Sequence, residues 1–184
     1  MEREQAYTLL KQYVKDEKMI VHSLSSEAVM RALAKRLGKD EEAYGLAGLL
    51  HDIDVEITHA DPKKHGLVSV GILREHGIEE GIIDAISMHN EEATGKDRTT
   101  EFQHALAAGE TITGLIYATT LVYPDKKIAG IKYKSVKKRM KEKSFAASVS
   151  RENILECEKT GLTLDEFIQL SVDAMRTISD EIGL

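Results

Sequence analysis

A histidine followed directly by an aspartate, His51-Asp52, closes the apolar run 45–50. At the end of a buried segment an imidazole and a carboxylate both lose their water, which costs free energy unless they find partners. A bound cation would compensate both groups, and histidine nitrogen and aspartate oxygen are common ligands of transition metals. We therefore interpret the pair as two ligands of one metal ion.

A single acid, Glu110, lies in the otherwise uncharged stretch 105–123. Helical spacing places it on one stripe with Leu106 and Thr113. An ionised carboxylate there would cost on the order of several kcal/mol unless it is paired or binds a metal. Pairing with a distant Arg or Lys, or protonation, would also satisfy it. The His51-Asp52 pair upstream favours metal ligation.

Three further histidines are expected at helix boundaries. His22 should lie just before, or in the first turn of, a long helix. His65 should lie in the first turns of another helix, and His89 should end the apolar helix 82–88. Each also has a structural interpretation, as a partly buried histidine or as a cation at a helix C-terminus. The His51-Asp52 pair favours ligation for all three, and the remaining histidines are expected to be structural: His59, His76 and His104.

The composition indicates an ordinary cytoplasmic protein of about one domain. A formal net charge of -6 argues against general binding of nucleic-acid polymers. The single Cys157 excludes an internal disulfide, and the polar N-terminus carries no export signal. Because Glu110 and several threonines interrupt 105–123, we expect a core helix there and no membrane partner.

Apolar residues recur at helical spacing through most of the chain, for example in 24–37 and 78–86, and no stretch alternates like a strand. The sequence therefore predicts an all-α bundle of roughly seven to nine helices. We expect one domain over 1–184, with a metal-binding core over about 20–123 and a helical C-terminal extension over about 124–184. The predicted boundaries are a helix stop at Gly38, an N-cap at Asp40, a helix start at Asp61-Pro62 running to about His76, and a capping box of Thr163 with Glu166.

These residues and their order resemble the HD superfamily of metal-dependent phosphohydrolases. The family pattern is a first histidine, a His-Asp doublet and a more distant aspartate, and His22, His51-Asp52 and position 110 occupy those places. The run 47–54, Ala-Gly-Leu-Leu-His-Asp-Ile-Asp, is similar to the small bacterial and archaeal HD hydrolases. The resemblance covers most of the chain and implies an HD-type helical bundle.

The resemblance also implies two metal ions, because members with two more histidines between the doublet and the last acid bind a pair. The implied ligands are His22, His51, Asp52 and Glu110 for one metal, and His65 and His89 for the other, with Asp52 bridging. The family ends on Asp where this chain has Glu110, whose extra methylene moves the carboxylate by about one bond length. Glu110 would then bind directly, through a water, or by orienting another ligand. Such ligands accept Fe, Mn, Co, Ni or Zn.

Two metals would lower the pKa of a water between them and neutralise the charge that builds on a phosphate under attack. Asp52 would serve this chemistry as the shared ligand. Asp54 could accept a proton from that water, or be a solvated turn acid. Lys63 and Lys64 adjoin His65 and are expected to bind a substrate phosphate at the rim. The lysine-rich stretch 126–143 is more typical of a solvated helix face, from which one or two cations could reach a phosphate.

We therefore expect hydrolysis of a phosphate ester or anhydride in a small phosphorylated molecule such as a nucleotide. One alternative is a di-iron oxygenase of the HD fold, resembling inositol oxygenase, which a strict need for iron and oxygen would identify. Another, motivated by Glu110, is a binding module that holds a small molecule without turnover. The sequence identifies neither the substrate nor the oligomeric state.

Overall fold

The computed structural model describes residues 1–184 and contains ten α-helices and no strand, which confirms the all-α prediction. The helices are α1 (Arg3–Tyr13), α2 (Glu17–Leu37), α3 (Glu41–Leu50), α4 (Leu67–Glu75), α5 (Glu80–Ser87), α6 (Glu91–Thr94), α7 (Glu101–Leu121), α8 (Tyr133–Lys141), α9 (Arg151–Leu155) and α10 (Leu164–Thr177). Short 3-10 helices cover Ile128–Gly130 and Glu156–Thr160. The number exceeds the expected one because α6 and α9 are too short to show a helical period.

The core forms around α2 and α7, which pack against each other and are joined by α3 and α10. Forty buried apolar residues make one continuous cluster. The approach of α3 to α2 requires a glycine, since a Cβ on Gly48 would lie 2.6 Å from the Ser26 carbonyl oxygen. Helix α7 is buried along most of its length, as predicted. No helix is both long and apolar enough to span a bilayer.

Three of the predicted helix boundaries are confirmed. Helix α2 ends before Gly38, whose φ of +67° is the left-handed conformation typical of a helix stop. The Asp40 carboxylate accepts hydrogen bonds from the first-turn N–H groups of α3. Thr163 and Glu166 form the capping box that opens α10.

Two boundary predictions were wrong, and both concern the site. Helix α2 begins at Glu17, so His22 lies in its second turn. The serines at 23, 25 and 26 suggested a helix start, but they lie inside the helix, where Ser25 Oγ donates to the Val21 carbonyl oxygen. Helix α4 begins only at Leu67, because Gly66 has φ +89° and interrupts the chain. The segment from Asp61 is a series of turns, so His65 lies in a turn rather than in a helix.

Candidate metal centre

Asp52 lies at the centre of four histidines that come from four parts of the chain. His51 is the C-cap of α3, so the doublet directly follows the apolar run of that helix. The other histidines are His22 on α2, His65 in the turn before α4, and His89 two residues after α5. All four turn Nε2 towards the Asp52 carboxylate.

The distances divide these residues into two clusters that share Asp52. In the first half-site, His22, His51 and Asp52, the two Nε2 atoms are 3.1 Å apart. In the second half-site, Asp52, His65 and His89, the two Nε2 atoms are also 3.1 Å apart. Asp52 Oδ2 is 3.5 Å from His22 Nε2, and its Oδ1 is 3.3, 3.0 and 3.6 Å from the Nε2 atoms of His51, His65 and His89.

Backbone carbonyls determine the tautomers of His51 and His89. His51 Nδ1 lies 2.8 Å from the Gly48 carbonyl oxygen, and His89 Nδ1 lies 2.6 Å from that of Ile86. A carbonyl oxygen only accepts, so each Nδ1 carries a proton and donates it. In the neutral rings Nε2 therefore keeps its lone pair.

Side chains determine the tautomers of His65 and His22. His65 Nδ1 donates to Asp54 Oδ1 over 2.8 Å. His22 Nδ1 lies 3.0 Å from Thr113 Oγ1, and that hydroxyl gives its own hydrogen to the Glu110 carbonyl oxygen over 2.7 Å. Thr113 is thus the acceptor for His22, and the lone pair of His22 also lies on Nε2.

With all four rings neutral, four lone pairs and a carboxylate converge with no donor among them. Two imidazole lone pairs 3.1 Å apart repel unless a proton or a metal cation lies between them. Histidines that donate from Nδ1 and present Nε2 to a common point are typical of metal sites. The residues present thus fit a divalent metal in each half-site.

The Asp52 carboxylate carries the negative charge at the centre of the cluster. Burial alone would raise the pKa of its carboxyl, but the contacts with His51, His65 and His22 hold it well below the usual range. Burial lowers the pKa of His22 and of His89 to about 4, so both are neutral at pH 7. Burial opposes protonation of His65 as well, but Asp52 and Asp54 raise its pKa to about 10. A metal entering the second half-site must displace that proton.

Glu110 lies beside the first half-site but outside both clusters. Its Oε2 is 3.8 Å from His22 Nε2, and its Oε1 accepts a hydrogen bond from the Thr111 hydroxyl. Burial raises the pKa of this carboxyl to about 7. Direct ligation by Glu110 stays a prediction.

Asp54 is completely buried and lies behind His65. Its Oδ2 accepts from the backbone N–H groups of Gly66 and Ser69, both over 2.9 Å, while Oδ1 holds His65. Both oxygens are occupied, which favours a positioning role. The role of proton acceptor stays a prediction.

The predicted substrate lysines lie on the surface near the second half-site. Lys63 and Lys64 are exposed, and Lys64 Nζ is 3.4 Å from Asp61 Oδ2. In the lysine-rich stretch, Lys137 pairs with Asp165 over 2.7 Å. Phosphate binding by any of these lysines stays a prediction.

The histidines expected to be structural do not join the cluster. His76 Nδ1 contacts the Ile72 carbonyl oxygen, His104 Nδ1 contacts Glu156 Oε2, and His59 is exposed.

Sequence reasoning missed two side chains that hold the second half-site. Asn90 Nδ2 donates to the carbonyl oxygens of Pro62 and His65 over 2.8 and 2.9 Å, joining the two histidine-bearing turns. Arg98 is almost fully buried and donates to the carbonyl oxygens of Met88 and His89 over 2.8 and 2.5 Å. Asn90 directly follows His89, which could have drawn attention to it, whereas nothing local marks Arg98.

A family model and curated relatives each match about half of the chain. The sequence model of the HD domain matches residues 19–122, more than half of the chain. Ribonuclease Y of Nitratidesulfovibrio vulgaris (strain DP4) is 32% identical over 98 residues, 53% of this chain and 18% of that protein. Ribonuclease Y of Aquifex aeolicus (strain VF5) is 33% identical over 76 residues, 41% of this chain and 14% of that protein.

The chain spans less than a quarter of the length of these relatives. No solved structure gives a significant match. The HD-domain match covers the segment that carries His22, the His51-Asp52 doublet and position 110, and it confirms the resemblance. The chain belongs to the HD-domain family, whose members are generally metal-dependent hydrolases and bind divalent metals.

Proposed function

We propose that this protein is a metal-dependent phosphohydrolase that cleaves a phosphate ester or anhydride in a small molecule, with a nucleotide as the first substrate to test. The observation that carries the proposal is the convergence of four histidine Nε2 atoms on Asp52. Membership of the HD-domain family supports it.

Divalent metals, when bound, would lower the pKa of a water and neutralise the oxygens of a phosphate. The chain's own contribution is placement. Asp52 lies between the two half-sites and would be the shared ligand, while Asp54 and Thr113 fix the rings of His65 and His22. In the reaction, water oxygen forms a bond to phosphorus, the bond from phosphorus to the leaving oxygen breaks, and that oxygen takes up a proton.

The relatives named Ribonuclease Y support cleavage of phosphate esters, since the backbone of RNA is a phosphodiester. They match 53% and 41% of this chain, and the net charge of -6 does not favour a polyanionic partner. We therefore propose a small phosphorylated substrate rather than RNA, acting in the cytoplasm, where the free Cys157 would stay reduced.

The first experiment is element-resolved metal analysis of protein purified without a metal-binding tag, followed by phosphate release assays. The assays would use nucleoside mono- and triphosphates and single-stranded RNA. About two metals per chain with phosphate release from a nucleotide would support the proposal. One metal would leave the second half-site with a structural role.

Three other results would contradict the proposal. Cleavage of RNA alone would replace the substrate class. Iron in both half-sites, with oxygen consumption and no phosphate release, would identify an oxygenase. No metal after reconstitution with divalent ions would indicate a binding module.

A further inference from the structure

A small cleft lies between α2 and α7, directly beside the first half-site. Its walls come from residues 18–25 of α2 and 113–117 of α7, and its volume is about 160 Å³. His22 and Thr113 belong both to this wall and to the metal centre. A group bound in the cleft would therefore contact the side chains that hold the first metal.

Most polar groups in the cleft are already satisfied. Ser25 Oγ donates to the Val21 carbonyl oxygen over 2.7 Å, and the Thr113 hydroxyl donates to Glu110 and accepts from His22. The Tyr117 hydroxyl, by contrast, has no hydrogen-bond partner. Tyr117 and Lys18 are thus the groups left to recognise a ligand by polar contact.

Lys18 is an unpaired cation at this cleft. It is exposed, it forms no salt bridge, and its only hydrogen bond to a side chain runs from its backbone N–H to Asp16. Lys64, one of the cations expected from sequence, is already close to Asp61. The structure therefore favours Lys18 as the cation next to the first half-site.

The size of the cleft limits what enters it. An engineered protein cavity of about 150 Å³ holds one benzene molecule. Sites for drug-sized ligands span about 300–1,000 Å³. With about 160 Å³, this cleft accommodates one ring, and Gly114 and the Tyr117 ring give that ring a wall without charge.

We propose that this cleft binds the alcohol part of a phosphate monoester, one ring in size, such as the pentose of a nucleotide or of a sugar phosphate. Lys18 and the Tyr117 hydroxyl hydrogen-bond the acceptors of that ring, and the Tyr117 ring limits its size. This inference rests on the proposed hydrolysis, in which the ring leaves as the free alcohol once the phosphorus–oxygen bond breaks and its oxygen gains a proton. A base attached to the pentose remains outside the cleft and is not selected.

The role of Lys18 is tested with ribose 5-phosphate, adenosine monophosphate and phenyl phosphate on the metal-loaded protein. Lys18→Met should raise KM for the two pentose phosphates about 10-fold, because a charge-assisted hydrogen bond is lost, and leave kcat within about two-fold. Phenyl phosphate, whose ring carries no acceptor, should be unaffected. The matched control is Lys35→Met, another exposed lysine of α2, about 25 Å away along the helix.

The role of Tyr117 is tested by ring size. The wild type should hydrolyse phenyl phosphate well and 1-naphthyl phosphate poorly, because two rings exceed the cleft. Tyr117→Ala should remove most of this discrimination by admitting the second ring. Tyr117→Phe should keep the discrimination and raise KM for the two pentose phosphates but not for phenyl phosphate.

The outcomes separate this inference from the proposed function. If the wild type hydrolyses these esters but Lys18→Met and Tyr117→Ala change neither KM nor ring-size preference, the cleft assignment is wrong and hydrolysis stands. If the wild type hydrolyses none of these monoesters, the metal analysis and the nucleoside triphosphate assays decide the proposed function separately. Calorimetric titration with ribose 5-phosphate then decides the cleft alone: equal affinities of wild type and Lys18→Met would overturn it.

Discussion

The two half-sites of the candidate metal centre share Asp52 but are held in place in different ways. In the first half-site, His22 lies within α2 and His51 caps α3, so their positions follow from the packing of these helices on α7. In the second half-site, His65 and His89 lie in turns. Buried or partly buried hydrogen bonds that involve three side chains hold those turns: Asp54, Asn90 and Arg98.

This difference shows two ways to place a metal ligand. A ligand on a packed helix is positioned by the apolar core and tolerates the loss of any one hydrogen bond. A ligand in a turn depends on a few buried polar contacts, each costly to break. We therefore expect single substitutions to remove the second half-site while the first one and the fold persist.

The largest effect should come from the residue that the half-sites share. Asp52→Ala removes a ligand from both half-sites, so we expect metal content near zero and a fall in kcat of more than about 100-fold. Loss of a hydrogen bond that only orients a ligand would cost less, about 10- to 100-fold. Metal analysis and phosphate release measure this. Asp97→Ala, at an exposed aspartate without a salt bridge, is the control. Retention of one tightly bound metal in Asp52→Ala would show that the half-sites do not share this ligand.

Asp54→Asn should weaken metal binding in the second half-site and leave the first half-site unchanged. The amide is a poorer acceptor for His65 Nδ1 and cannot accept from Gly66 and Ser69 as the carboxylate does. We expect the affinity for the second metal to fall about 10- to 100-fold, with the first unchanged. Metal titration monitored by calorimetry resolves the two steps, and an equal loss at both would contradict the division.

Arg98→Met should act on the second half-site more weakly but also on stability. It leaves the carbonyl oxygens of Met88 and His89 without their buried donor and breaks the ion pair of Arg98 with Glu156. We expect a loss of about 2 kcal/mol in unfolding free energy, seen as a Tm about 4–8 °C lower. The affinity for the second metal should fall less than in Asp54→Asn. An unchanged Tm would show that these contacts do not hold the turn.

The smallest effect is expected at Glu110. Its carboxylate lies outside the first cluster, 3.8 Å from His22 Nε2, and is close to half protonated at neutral pH because burial raises its pKa to about 7. Glu110→Gln should therefore lower the affinity for the first metal by less than about 10-fold. A loss as large as that of Asp52→Ala would show direct ligation.

Several features of the site could be predicted from the sequence because they depend only on residues close together in the chain. The His51-Asp52 doublet ends an apolar helix, and His89 follows another, so helical period and helix ends were enough to single them out. The caps at Asp40 and Thr163 are also local patterns. The helix start predicted near His22 was wrong because the serines that follow it lie buried inside α2. The helix start predicted before His65 was wrong because α4 begins only after Gly66.

The amino-acid sequence by itself determined the all-α class, the family and the candidate ligands, since these depend on residue identity, order and helical period. Only the tertiary structure decided that the four Nε2 atoms meet at Asp52 and that Glu110 lies outside the cluster. It also decided that Asn90 and Arg98 hold the second half-site by hydrogen bonds. It also placed Lys18 and Tyr117 at one cleft, although they are 99 positions apart in the chain. Contacts between distant segments depend on how the helices pack, and no local pattern encodes that packing.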